Sequence, residues 1–104
     1  MVESKKAGWI TGVRRMYKIL IVEDDMVIAK GLASHLQQWG YDAVYVEDFK
    51  NVKDKFLECD PQLVLLDVIL PYFNGFHWCQ EIRKVSKVPI VFLSSANDLS
   101  LIHI

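Results

Sequence analysis

With 104 residues the chain has room for one domain. It is 52% hydrophobic and 24% charged, which excludes a disordered composition, and no apolar run approaches the roughly 20 residues a membrane-spanning helix needs. The net charge of −1 is uneven: residues 1–16 hold four basic side chains and one acid, leaving eight basic and twelve acidic from Tyr17 on, a balance of −4 that disfavours nucleic-acid binding.

Met1 to Arg15 carry Lys5, Lys6, Arg14 and Arg15 with no continuous apolar core, so they do not read as a secretory signal. The expectation is a flexible N-terminal extension over 1–15, with Met16 as the natural start. A basic arm for a partner is the alternative. Tyr17 to Val22 reads as a buried strand ending in Glu23-Asp24-Asp25. Ile28, Leu32, Leu36 and Trp39 recur at helical spacing, and Gly40 supplies a stop. Acids at a helix start cap exposed amides and suit the dipole, which accounts for one of the three. Three in succession repel each other, and a cation is the usual remedy.

Asp42 to Val46 reads as a second strand. Asn51 to Glu58 reads as a short helix with Val52, Phe56 and Leu57 inward, Asp48 or Asn51 near its cap, and Asp60-Pro61 closing it. Leu63 to Leu66 is a third apolar run, and Asp67 stands at its end before Pro71 and the Asn74-Gly75 turn. By itself Asp67 reads more readily as a loop aspartate that caps a helix. Phe76 to Val85 is expected as a helix with Phe76, Cys79, Ile82 and Val85 inward, and core packing is expected for Trp39 and Trp78. Ile90 to Leu93 is the fourth strand, stopping at Ser94-Ser95. Leu99 to Ile104 has neither a helix face nor a strand alternation and stays unplaced.

The order β-α-β-α-β-α-β suits right-handed parallel crossovers, hence an α/β, doubly wound parallel sheet. Strands running the same way share one C-terminal edge, and ligands bind at that edge in open parallel sheets. There Glu23, Asp24, Asp67 and Ser94 would meet. Three carboxylates and a hydroxyl are hard oxygen ligands of the kind that binds Mg²⁺, and phosphoryl chemistry fits such a site. No GxxxxGK[ST] or GxGxxG occurs, so a nucleotide fold has no support. Cys59 and Cys79 lie far apart with no CxxC, and with His35, His77 and His103 they share no zinc spacing. Free thiols point to a cytoplasmic protein.

Three stretches, Lys18 to Asp25, Leu65 to Pro71 continuing to Asn74-Gly75, and Pro89 to Ser94, resemble the receiver domain of two-component response regulators. The likeness spans about Tyr17 to Asp98, with the three motifs in order. The wording Pro71 to Cys79 with Val88 to Ser95 is further similar to Gram-positive regulators of the OmpR/PhoB class that respond to bacitracin and other cationic antimicrobial peptides. The resemblance implies a flavodoxin-like, CheY-like fold. It implies Asp67 as the phosphoacceptor for a histidine kinase's phosphoryl group. Glu23, Asp24, Asp67 and the backbone carbonyl of Ile69 would hold Mg²⁺, and Ser94 would be the switch hydroxyl. Asp25 would cap the first helix. The chemistry would be transient self-phosphorylation, not turnover of an external substrate.

The family pattern continues into a fourth helix, a fifth strand with a lysine, a fifth helix and, in the subgroup, a winged-helix DNA-binding domain. No lysine follows Lys87. The expectation is therefore a receiver over 16–98 truncated after its fourth strand, with 99–104 as a non-native tail and the fourth strand left as an exposed edge. Direct contact of this chain with nucleic acid or membrane is not expected. Rival readings are a non-switching interaction module or inactive fragment, and an aspartyl phosphatase. Such phosphatases place a second aspartate two residues on, where Ile69 stands.

Overall fold

The structure, a computed structural model, describes residues 17–93 and the backbone of residues 101–103. Eight elements follow in order: β1 (Lys18–Val22), α1 (Met26–Gln38), β2 (Asp42–Tyr45), α2 (Val52–Cys59), β3 (Leu63–Asp67), α3 (Gly75–Arg83), β4 (Ile90–Leu93) and β5 (Leu101–His103). One sheet holds the strands in the order β2-β1-β3-β4-β5. β1 to β4 pair in parallel, as their apolar runs and intervening helices require. The expected doubly wound sheet is present.

Alternation along each strand divides the core between the two faces. Leu20, Val22, Val64, Leu66, Ile90 and Phe92 pack with Val52, Phe56 and Cys59 of α2 and Trp78 and Ile82 of α3. Ile19, Ile21 and Ala43 pack on the other face with Ala29 and Ala33 of α1. With α1 on one face and α2 and α3 on the other, the chain reverses its winding between β1 and β3. That reversal opens a crevice beyond their C-terminal ends.

Helix starts follow local chemistry. Asp25 N-caps α1, its Oδ1 accepting from the amides of Val27 (3.1 Å) and Ile28 (3.4 Å). Asn74 N-caps α3, its Oδ1 accepting from the His77 amide at 2.9 Å. Asn51 stands at the N-cap of α2 without a side-chain capping bond. Asp48 instead accepts from the Lys50 amide and the Asn51 side chain. α2 ends where Asp60 turns left-handed, at φ 51°.

The inward faces match the expected ones in part: Val52, Phe56, Trp78 and Ile82 are buried and Leu32 and Leu36 pack against the core, but other positions differ. On α1 the buried residues are Ala29 and Ala33, whereas Ile28 is 51% exposed and Trp39 74%. Small side chains let the helix lie close to the sheet, which turns the contact stripe one position from Ile28. Trp39 sits at the C-cap (φ −92°, ψ 6°), past the helical face that core packing would use. On α2 the stripe is Val52, Phe56 and Cys59, and Leu57 faces outward. On α3 it is Gly75, Trp78 and Ile82, so Phe76 and Val85 are exposed, although the Phe76 ring still lies 5.0 Å from that of Phe92.

The end of the described chain also departs from expectation. Leu101–His103, unplaced by pattern, forms β5 and pairs antiparallel with β4, matching Val91 to His103 and Leu93 to Leu101. The β4 edge is therefore paired, not exposed. Residues 94–100 are too few for a parallel crossover, which takes roughly a dozen or more. A short return suffices for an antiparallel partner, and the open edge of β4 offers the hydrogen-bonding groups. The parallel fifth strand and last helices of the receiver pattern are not found among the described residues. Nor is any helix there long and apolar enough to cross a membrane.

The two aromatic environments predict opposite responses to truncation. Phe92→Ala, at a residue 1% exposed, should cost about 3–5 kcal/mol in urea unfolding. Trp39→Ala should change stability by no more than about 0.5 kcal/mol.

Candidate functional site

β1 and β3 are neighbours, with Val22 paired to Leu66. The residues just beyond that pair are Glu23 and Asp67, so two carboxylates come together at the crevice. Both are buried, Glu23 at 6% exposure and Asp67 at 1%. Asp24, one residue on, is exposed. Carboxylate oxygens of Glu23, Asp24 and Asp67 all lie within 4.8 Å of one another.

The three acids after β1 divide their tasks. Asp25 caps α1, as its position at a helix start implied. Its own amide donates to Glu23 Oε2 at 3.1 Å, which turns the Glu23 side chain back toward the crevice. Asp24 is left at the solvent side. Asp67 Oδ1 accepts from the Ile69 amide at 3.3 Å, and this bond orients the carboxylate. Ile69 thus touches the site through its backbone while its side chain is 68% exposed. Ser94 lies outside the described residues.

Gathering these charges out of water has a measurable consequence. Burial raises the Glu23 carboxyl to about 7, against the lowering effect of the Asp25 amide. The Asp67 charge, a side-chain hydrogen bond to Asp67 and the Asp24 charge contribute to that same rise. Folded Glu23 therefore holds its proton to higher pH than a free glutamate, which eases the repulsion between the two carboxylates.

Gly75 is a site residue that reading the sequence as a turn did not reveal. A Cβ there would overlap the Asp67 carbonyl oxygen and come within 3.0 Å of Asp67 C and Val68 Cα. The Gly75 amide also donates to the Val68 carbonyl at 2.8 Å. The start of α3 is thus pressed onto the backbone that carries Asp67. The Asn74-Gly75 pair was the signal, but close approach rather than a left-handed turn is what demands the glycine.

Beside the acids runs an open groove of about 540 Å³, lined by Asp24, Glu47, Asp48, Lys50, Pro71 and Tyr72 among others. A second groove, about 490 Å³ and mostly apolar, lies at the other end of the strands between Tyr17, Leu36, Trp39 and Leu63.

Residues 19–103 match the family model of the response regulator receiver domain. The chain belongs to that family. It is 49% identical over 83 residues to the transcriptional regulatory protein YvcP of Bacillus subtilis, spanning 80% of this chain but 35% of YvcP. Among solved structures, the N-terminal domain of the nisin resistance regulator NsrR, a lantibiotic response regulator, superposes with a TM-score of 0.73 at 46% identity. That match covers 81% of this chain and 71% of the NsrR chain. The response regulator TrrA of Thermotoga maritima, solved in complex with Mg²⁺ and beryllium fluoride, gives 0.72 at 32% identity, over 79% of this chain and 72% of that one. The relatives bear out the resemblance to regulators of the antimicrobial-peptide type, of which NsrR is one.

Two predictions follow from the packing of the receiver's acidic site. In Gly75→Ala the better helix propensity of alanine is outweighed by the overlap with backbone atoms that cannot rotate away, for a net loss of about 1–3 kcal/mol in urea unfolding. The second concerns pH. Unfolded Glu23 releases its proton near 4.5, whereas the folded group holds it to about 7. Between those values the unfolded state binds fewer protons, so metal-free stability falls as pH rises and levels off above 7. Glu23→Gln should remove that decline in thermal melts taken from pH 4.5 to 8.

Proposed function

We propose that the chain is the phosphoaccepting receiver of a two-component response regulator, with Asp67 as the acceptor. The observation that carries this reading is the carboxylate of Asp67, 1% exposed at the end of a central parallel strand, with oxygens of Glu23 and Asp24 within 4.8 Å. Burying an aspartate in such company costs stability. Asp67 is placed to act as a nucleophile toward an electrophile that brings its own counter-charge.

The step is a phosphoryl transfer from a sensor kinase's phosphohistidine. An Asp67 carboxylate oxygen attacks phosphorus, the O–P bond forms and the P–N bond breaks. The electron pair leaves with the imidazole nitrogen, and the kinase histidine is regenerated. The Ile69 amide, donating to Asp67 Oδ1, holds the carboxylate in one rotation for this attack. Burial excludes bulk water around the acceptor, which favours persistence of the acyl phosphate.

The donor set fits a divalent cation. It offers hard oxygens only, and oxygens that share one Mg²⁺ at about 2.1 Å can stand about 4 Å apart, close to the spread here. Glu23, Asp24, Asp67 and the Ile69 carbonyl would hold Mg²⁺, which would supply positive charge to the phosphoryl oxygens. Glu23 would have to release its proton to join the set, so uptake of the cation would be proton-linked. Ser94 would donate its hydroxyl to a phosphoryl oxygen. An acyl phosphate places up to about two negative charges where one stood, with new acceptor oxygens to bias the neighbouring loops. The chain would turn over no external substrate. The setting would be the cytoplasm, and the likeness to YvcP, a transcriptional regulatory protein of which the chain spans 35%, supports an output located in the part that this chain does not span.

The reading is tested by intact-mass spectrometry after incubation with Mg²⁺ and acetyl phosphate. The expected result is one added phosphoryl group on the parent and none on Asp67→Asn. A folded parent that gains no mass would overturn the acceptor reading in favour of a non-switching interaction module. The antiparallel β5 beside β4 is the feature that would then matter.

A further inference from the structure

We propose that Lys50, held over the Tyr72 ring in the groove beside Asp24, is a positioning residue that draws a dianionic phosphodonor toward Asp67. The inference rests on the phosphoacceptor reading above and adds the charge that recognises the donor.

The electrostatic problem is plain. A phosphodonor is an anion, and the described side chains nearest Asp67 are carboxylates. The groove that leads along Asp24 adds Glu47 and Asp48 to that field. Lys50 is the one basic residue among the described residues lining it. Its place is built from both sides. In the β2–α2 loop, Asp48 Oδ1 accepts from the Lys50 amide at 3.1 Å and Asp48 Oδ2 from Asn51 Nδ2 at 2.9 Å, so the backbone that carries Lys50 is pinned.

From the other side comes Tyr72, in the loop that follows Asp67. Its φ is 70°, left-handed for a bulky residue, and the Phe73 amide donates back to the Pro71 carbonyl at 2.8 Å. This is a three-residue turn of the strained kind. Such a turn persists where its surroundings hold it, and strained turns gather at functional sites. It projects a ring that is not core, since Tyr72 is 67% exposed. The Lys50 ammonium lies 4.9 Å from the centre of that ring. An aromatic face holds an ammonium without neutralising it, whereas a carboxylate partner would cancel the charge. Among the described residues the ion pairs are those of Lys53, Lys55 and Lys84. The hydrogen bonds from Asn51 and the Lys50 amide, and behind them the Lys50 charge, hold the Asp48 carboxyl below its ordinary range, but Lys50 forms no ion pair with it among the described residues. Its ammonium therefore lessens the negative field at the rim of the acidic site, an effect felt more by a dianion than by a monoanion.

The test compares phosphorylation rates of the full chain, Lys50→Met and Lys50→Arg by intact mass at saturating Mg²⁺. Acetyl phosphate serves as the dianionic donor and phosphoramidate as a donor of lower net charge, each at low and high ionic strength. Lys50→Met keeps the stem and loses the charge. It should slow acetyl phosphate about two- to fivefold at low salt, a size expected of one rim charge in high dielectric. The loss should be smaller with phosphoramidate and should shrink at high salt. Lys50→Arg should restore the parent rate. Equal rates for parent and Lys50→Met would overturn the inference and leave the acceptor reading standing. So would a loss that is the same for both donors and indifferent to salt, because that pattern marks a structural role for the loop. A parent that accepts no phosphoryl group from either donor would overturn both.

Discussion

Two carboxylates buried against each other at the end of a parallel strand pair are the constraint on which the rest of the structure depends. Asp67 and Glu23 are almost without solvent, and two like charges cannot share such a place unpaired. Without a cation the molecule meets this by keeping a proton on Glu23 up to about pH 7. With a divalent ion the same oxygens would become ligands. The site is thus made for an added positive charge, and that demand connects its electrostatics to its chemistry.

The surrounding elements hold this costly arrangement in place. Apolar contacts on both sheet faces anchor β1 and β3, so the acids beyond them have little freedom to separate. Asp25 caps α1 and lends its amide to Glu23, which ties helix start and site into one unit. Gly75 lets α3 begin directly against the Asp67 backbone. Each contact is ordinary alone. Together they oppose the relaxation that would carry the carboxylates into water.

Membership of the receiver family explains why these features occur together, and the relatives place the chain beside regulators such as NsrR. The chain spans only 35% of the length of YvcP. At the described end, β5 extends the sheet by antiparallel pairing, where the sequence reading expected the edge of β4 to be left exposed. The edge groups of β4 are therefore paired, and β5 is the outer strand on that side.

The succession of elements, the parallel sense of β1 to β4 and the placing of Glu23, Asp24 and Asp67 at one edge were legible in the sequence. Apolar runs, helical spacing and crossover handedness are local or nearly local rules, and they leave few topologies. The capping role of Asp25 was legible for the same reason. Helix rotation was legible only in part: Trp78 is buried as expected, but Ile28, Leu57 and Phe76 suit an inward stripe by spacing and are exposed, while Ala29 and Cys59 are buried. Which of two adjacent stripes is buried depends on how closely a helix approaches the sheet, and that distance belongs to both partners. The tightness at Gly75, the raised Glu23 carboxyl, the pairing of β5 and the meeting of Lys50 with Tyr72 likewise join residues distant in the chain. The sequence by itself determined which chemistry stands at the sheet edge. Only the tertiary structure decided how deeply it is buried and what lies against it, because burial and close approach are properties of packed pairs and not of single segments.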